Sequence, residues 1–233
     1  MSGIFVTGTG TEVGKTVVAA VAARTLAADG AAVAVFKPCV TGLDEPPADG
    51  PICRDIGDKS AHRLADHELL RLAAGSSQSD EEIAPYRYGP PASPHLAAAL
   101  AGEEIDPGRL RVTAREAAAS ADEIVCEGVG GLLVPLAADY LVRDLALELG
   151  YPLVIAAAPG LGTINHTLLT IEAARGAGLT VAAVVLTPWP EKPSEVERSN
   201  RETIASLGGV EVLTLPRIDL AAPDSWPSLR FSR

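Results

Sequence analysis

Short stretches that are apolar at every position alternate along this chain with longer ones in which alanine, leucine and charged residues recur at helical spacing. Residues 3–7 (GIFVT) read as a strand, and 15–30 (KTVVAAVAARTLAADG) as an alanine-rich helix whose Gly30 stands where helices commonly stop. A second strand, 31–38 (AAVAVFKP), ends at Pro38. Farther on, 122–131 (DEIVCEGVGG) is a strand that opens into glycines. Residues 151–160 (YPLVIAAAPG) and 179–187 (LTVAAVVLT) do not alternate, so they are expected to be buried on both faces. The last strand is 210–216 (VEVLTLP).

Helical patterns fill the intervals: 65–75, 93–102, 106–120, 164–178 and 194–209. Asp106 and Pro107 suit a cap and a first turn, and Ser194 with Glu197 fits a capping box. Strand and helix in alternation predict an α/β domain with a parallel sheet and crossover helices. Residues 39–62 are rich in Pro, Gly and Asp without a period and read as a long loop; the tail from about residue 219 is irregular. With no internal repeat and no linker, 233 residues are expected to form a single domain, 1–233.

Composition narrows the function. A formal net charge of -11 argues against a general nucleic-acid binder, which gains affinity by neutralising phosphates with Lys and Arg. An anionic ligand must therefore meet a local positive site. Cys39, Cys53 and Cys126 form no CxxC pair and are odd in number, which suggests neither a disulfide framework nor a zinc site and fits a cytoplasmic setting. No segment reaches roughly 18 unbroken apolar residues, and no basic start precedes an apolar run, so an unprocessed chain without membrane contact is expected.

Gly8 to Thr16 (GTGTEVGKT) supplies that positive site. A glycine loop between a buried strand and a helix aims backbone N–H groups and the positive helix end at an anion, and Lys15 reaches the outer phosphates. The Thr16 hydroxyl can ligate the Mg2+ of a nucleoside triphosphate. The usual loop has about four residues between its glycines, whereas Gly8 and Gly14 are separated by five. The order of strand, loop and helix offsets that departure and points to a P-loop NTPase-type open, mainly parallel sheet flanked by helices.

Two further residues belong to the same sheet edge, where ligands of open α/β folds bind. Glu127 ends the strand at 122–131 and is either a solvated carboxylate or a metal ligand. Lys37 ends the strand at 31–38 and is either solvated or a second ammonium beside the γ-phosphate.

With these residues assembled, the chain resembles the dethiobiotin synthetases, ATP-dependent carboligases of biotin synthesis. The resemblance rests on FVTGTGTEVGKT (5–16), FKPCVTG (36–42), SPH (93–95), EGVGGLLVPL (127–136) and LGTINHTLLTIEAARGAGL (161–179), in the family's order. The five-residue spacing inside the phosphate loop is itself similar to the family's form. The implied reaction adds CO2 or bicarbonate to one amine of 7,8-diaminononanoate, transfers the γ-phosphate to the carbamate, and closes a ureido ring when the second amine displaces phosphate.

The resemblance makes Lys37 and Lys15 catalytic and assigns Thr16, Glu127 and one aspartate to Mg2+. Asp66, at a helix start, is the expected aspartate, ahead of Asp55 and Asp58 in the long loop. Glu12, Val13, Gly14, Lys15, Thr16 and Val17 would hold the nucleotide, together with Asp66 and the run Glu127, Gly128, Val129 and Gly130. Thr41 stands where the family places a substrate hydroxyl. Gly162, Thr163, Ile164 and Asn165 resemble the segment that completes the partner's substrate site in a homodimer; Asn165 could equally cap the following helix, and His166 reads as packed or capping rather than as a base.

At the base end the chain departs from the family. Many members follow this strand with Asn-Asp, whose side chains read adenine, but Thr187, Pro188 and Trp189 stand here. With Pro216, Arg217 and Ile218 as the other wall, ATP, CTP or another triphosphate becomes an open choice, and Trp189 could be a simple apolar lid. A partitioning-type regulatory ATPase would carry a second lysine where this chain has Gly10, and no Asn-Lys-x-Asp occurs to read guanine. A small-molecule kinase is the nearest enzymatic alternative.

Overall fold

The computed structural model describes residues 2–44 and 64–231. Strand β1 (Ser2–Gly8) leads through helix α1 (Lys15–Ala28) to β2 (Val33–Phe36). Helices α2 (Asp66–Ala74), α3 (Asp80–Ile83), α4 (Pro94–Leu100) and α5 (Pro107–Ala119) precede β3 (Glu123–Gly131). Two short strands, β4 (Pro135–Ala137) and β5 (Tyr140–Leu141), pair antiparallel apart from the main sheet and run into α6 (Val142–Leu149). The chain finishes with β6 (Leu153–Ala157), α7 (Thr163–Gly176), β7 (Val181–Trp189), α8 (Glu195–Gly208) and β8 (Glu211–Pro216).

The six main strands lie in the order β2-β3-β1-β6-β7-β8, and every pair is parallel. Period-two side-chain alternation sends neighbouring residues of β1 to opposite faces. Phe5 packs with residues of α4, α5 and α6, and Val6 with residues of α1 and α2. A third apolar cluster joins Ile171 of α7 and Ile204 of α8 to β6 and β7. Coverage on both sides explains why the central strands are apolar without interruption.

From β1 the chain crosses by α1 to β2, on one side; from β3 it crosses by α6 to β6, on the other. The carboxyl ends of β1 and β3 thus flank the switch in strand order, the place where an open α/β sheet offers a crevice.

The first residues of the 39–62 loop are pinned. Val40 N–H donates to the Tyr86 carbonyl at 2.9 Å and Tyr88 N–H donates back to Val40 at 2.8 Å. Lys37 N–H likewise donates to the Ile83 carbonyl at 2.8 Å. The remainder of that loop, with Asp55 and Asp58, lies outside the described residues. The tail is irregular, as expected, but closely packed: Trp226 and Leu229 join the α1 cluster. Among the described residues no helix is long and apolar enough to cross a membrane.

A candidate site for nucleotide binding and phosphoryl transfer

The phosphate loop owes its shape to two glycines. Gly14 caps α1 at φ 86°, and a β-carbon there would stand 2.6 Å from Cγ2 of Thr187. At Gly8 a β-carbon would meet Lys15 Cγ at 2.9 Å, so its absence lets the lysine stem lie across the loop. Lys15 is buried and its ammonium donates to the Gly10 carbonyl at 2.8 Å. Glu12 is exposed on the loop, at φ 58°.

Beside this loop, three charged groups and a hydroxyl from different parts of the chain converge. Lys37, just beyond β2, places Nζ 2.7 Å from Asp66 Oδ2 at the start of α2 and 2.7 Å from Glu127 Oε1 on β3. Thr16, in the first turn of α1, donates its hydroxyl to the same Glu127 oxygen at 2.8 Å. Lys37 and Glu127 are 3% and 0% exposed, so neither is a solvated strand-end charge. Register places them side by side: Phe36 pairs with Cys126, which puts the following Lys37 and Glu127 on one face of adjacent strands.

Burial alone would lower the Lys37 pKa, but Asp66 and Glu127 outweigh it and hold the ammonium above its ordinary range. Burial also pushes Lys15 down, with Glu127 pulling the other way. Glu127 itself is pushed up by burial against the pull of Lys37. Both ammonium groups can serve an anion at this edge.

The donor set fits magnesium. Thr16, Asp66 and Glu127 offer only oxygen, and Glu127 Oε2 is buried with no hydrogen-bond partner among the described residues. No group of three or more His, Cys, Asp or Glu able to hold a metal occurs among the described residues. One or two carboxylates supplemented by phosphate oxygens is how Mg2+ is usually held with a nucleotide.

A hollow next to the loop is lined by Gly14, Val17, Thr187, Pro188, Pro216, Arg217, Ile218 and Leu220. The residues expected at the base end therefore meet at one place. Trp189 is not among them: it pairs with Pro216 in the β7–β8 register and packs on the α7–α8 cluster, so it is no lid over this hollow. Val13 packs toward α1, while Val129 lies on the opposite side of the sheet with the α4–α6 cluster. Gly128 lies close to Val142 and Phe5, where a β-carbon would meet Val142 Cγ1 at 2.9 Å. Beyond it Gly130 turns at φ 60° and Gly131 pairs with Gly8, which brings the glycine run against the loop.

Thr41 sits on the pinned segment four residues beyond Lys37. Gly162, Thr163, Ile164 and Asn165 begin α7, beyond the carboxyl end of β6, but no hydrogen bond or ion pair joins them to the Lys37 cluster among the described residues. Here two expectations are corrected. Asn165 does not cap α7, because the cap is Gly162 at φ 91° and Asn165 lies one turn inside; His166 is neither packed nor capping, but exposed in that first turn.

Gln78 was not anticipated. Its amide oxygen accepts from Val35 N–H at 2.9 Å and its amide nitrogen donates to Val35 O at 3.1 Å, which closes the free edge of β2 beside Lys37. The polar run 76–82 gave no signal of this, since one side chain here stands in for a neighbouring strand.

A phosphate loop, two buried ammonium groups and a hard-oxygen cluster at the switch point define a nucleoside-triphosphate-binding protein, and residues 2–224 match a family model described as an AAA domain. ATP-dependent dethiobiotin synthetases are similar in sequence: 41% identical in Rhodococcus erythropolis (92% of this chain, 88% of that protein), 39% in Bacillus cereus strain G9842 (92% and 83%) and 35% in Bacillus subtilis strain 168 (91% and 86%). The chain belongs to the ATP-dependent dethiobiotin synthetase family. Solved structures of a ParA family ATPase from Chlorobium tepidum (TM-score 0.53, 16% identity, 95% of this chain and 87% of that one) and of the MinC:MinD complex of Aquifex aeolicus (0.55, 16%, 94% and 82%) share its fold.

Proposed function

We infer that this protein makes dethiobiotin in an ATP-driven ligase reaction: 7,8-diaminononanoate and CO2 or bicarbonate are joined and closed to a ureido ring, with release of nucleoside diphosphate and phosphate. The observation that carries the reading is Lys37. A buried second ammonium lies beside the phosphate-loop threonine and is held by two carboxylates at 2.7 Å. A purely regulatory ATPase has no need of it.

The chemistry needs charge handling more than covalent help. A carbamate is an anion attacking an anionic phosphate, so the approach is repulsive until positive charge is placed between them. Lys15, anchored over the loop, takes the outer phosphates. Lys37 takes the carbamate and the oxygens of the phosphoryl group in transit. Thr16, Asp66 and Glu127 would hold Mg2+, which when bound neutralises the phosphates. Protons released by the amines go to carbamate or phosphate oxygens, and exposed His166 is not required as a base.

The hollow between Thr187–Pro188 and Pro216–Ile218 receives the base, and Glu12 lies on the exposed side of the loop. Its walls carry no Asn-Asp pair to read adenine, so CTP or another triphosphate can serve beside ATP. Thr41 contacts the diamine. The partner chain of a homodimer contributes Gly162 to Asn165, which accounts for the exposure of Gly162 and Asn165 at the start of α7; Leu161, next to it, is 97% exposed. Buried free Cys39 and Cys126 fit a cytoplasmic setting.

The test is phosphate release from purified protein with Mg2+, bicarbonate and 7,8-diaminononanoate, run with ATP, CTP, GTP and UTP and with each component omitted. Release that requires both diamine and bicarbonate, with dethiobiotin detected by mass, is expected. Release indifferent to the diamine overturns the reading in favour of a regulatory ATPase, and a phosphorylated diamine in favour of a kinase.

A further inference from the structure

We propose that Lys37 is an exchangeable counter-cation: its ammonium holds the Asp66–Glu127 pair until a triphosphate draws it away, so that metal and nucleotide bind as a coupled unit. The inference rests on the reading that these carboxylates hold the metal. Its geometric basis is competition for the same atoms. Lys37 Nζ is 2.7 Å from Glu127 Oε1 and 2.7 Å from Asp66 Oδ2, and Thr16 donates to that same Glu127 oxygen at 2.8 Å.

A Mg2+ ion at about 2.0–2.1 Å from these two oxygens would share them with the ammonium in a buried site, where two cations repel each other strongly. The arrangement favours one cation at a time. Glu127 is fully buried and cannot be left uncompensated, so an ammonium moves out only as another cation moves in. The long lysine stem can swing toward the phosphate loop, where Lys15 is held on the Gly10 carbonyl and the outer phosphate of the nucleotide supplies a new partner.

Two consequences follow from linkage. A divalent ion alone binds the nucleotide-free protein weakly, and a triphosphate raises its affinity; by reciprocity the ion raises triphosphate affinity by the same factor. Without the Lys37 charge, the carboxylates, with Glu127 Oε2 unpartnered among the described residues, become a divalent-cation site that needs no nucleotide.

Mn2+ binding followed by electron paramagnetic resonance reads this directly in the nucleotide-free full chain. Lys37→Met is expected to bind one Mn2+ about ten- to hundredfold more tightly than the parent, and Mn2+ is expected to raise its melting temperature more than that of the parent. Lys37→Gln, which keeps hydrogen-bond donors to both carboxylates, serves the same comparison if the Met variant does not fold. A β,γ-methylene triphosphate should tighten Mn2+ binding strongly in the parent and only slightly in the variants.

Equal Mn2+ affinity in the parent and both variants, while Glu127→Gln still weakens Mn2+–triphosphate binding, would overturn the role of Lys37 and leave the metal assignment standing. A gain that survives addition of Glu127→Gln would place the ion elsewhere and overturn both.

Discussion

Gly14 meets two demands at once. Its φ of 86° lies where a side chain costs about 1–2 kcal/mol, and a β-carbon would press on Thr187 Cγ2 at 2.6 Å. Thr187 lines the hollow assigned to the base, so Gly14→Ala disturbs the phosphate and base ends together. A fall in melting temperature of about 2–8 °C is expected for a chain of this size, together with nucleotide affinity reduced more than about tenfold. Differential scanning fluorimetry and calorimetric titration check both; unchanged affinity would remove the loop from the binding site. Lys37 makes a different demand if, as proposed, it acts while phosphoryl transfer proceeds. Lys37→Ala should lower single-turnover ring closure by about 10²–10³ or more while Mg2+–triphosphate Kd changes by less than about tenfold. Turnover equal to that of the parent would exclude it from the mechanism.

Elements are held by bonds that periodicity does not reveal, and Thr25 of α1 is the clearest case. Its buried hydroxyl donates to Val21 O at 2.7 Å and accepts from Leu229 N–H at 2.9 Å, which ties the tail to the helix that carries the phosphate loop. Thr25→Val keeps the shape and leaves a buried N–H unpaired, at a cost of about 1–3 kcal/mol in urea unfolding, whereas Thr25→Ser should retain most of the stability. Equal midpoints for parent and Val variant would mean that the tail contributes nothing there. Strands β6 and β7 were legible because strands buried on both faces read as unbroken apolar runs, and the capping pairs at Asp106 and Ser194 were legible because those side chains bond their own helix ends. The antiparallel pair β4–β5 and the one-turn α3 were not: each is too short to establish a period. At the site, Lys15 and Thr16 follow from the glycine loop, Lys37 and Glu127 from strands that reach one sheet edge, and Asp66 from the family resemblance together with its helix start. Gln78 and the tail depend on single long-range hydrogen bonds, which leave no local pattern.

At the scale of the whole molecule the question is why residues proposed for one site are not all joined by hydrogen bonds or ion pairs within one chain among the described residues. Lys37, Asp66 and Glu127 converge, whereas Asn165 is exposed in the first turn of α7 with Leu161 and Leu169 also exposed, at 97% and 56%. A symmetric dimer in which α7 of one chain completes the site of the other resolves this, and it makes a quantitative demand. Lys37→Ala and Asn165→Ala should each be nearly inactive alone. Mixed, unfolded and refolded in equal amounts, half of the dimers are heterodimers; each holds one site with both defects and one with neither, so activity returns to about a quarter of the parent value. Size-exclusion chromatography with light scattering should show the dimer mass for each variant, which separates loss of a contact from loss of assembly. If Asn165 acts within its own chain, every site in the mixture carries one defect and no activity returns. A full-length dimer whose mixture stays inactive would therefore confine the substrate site to one subunit.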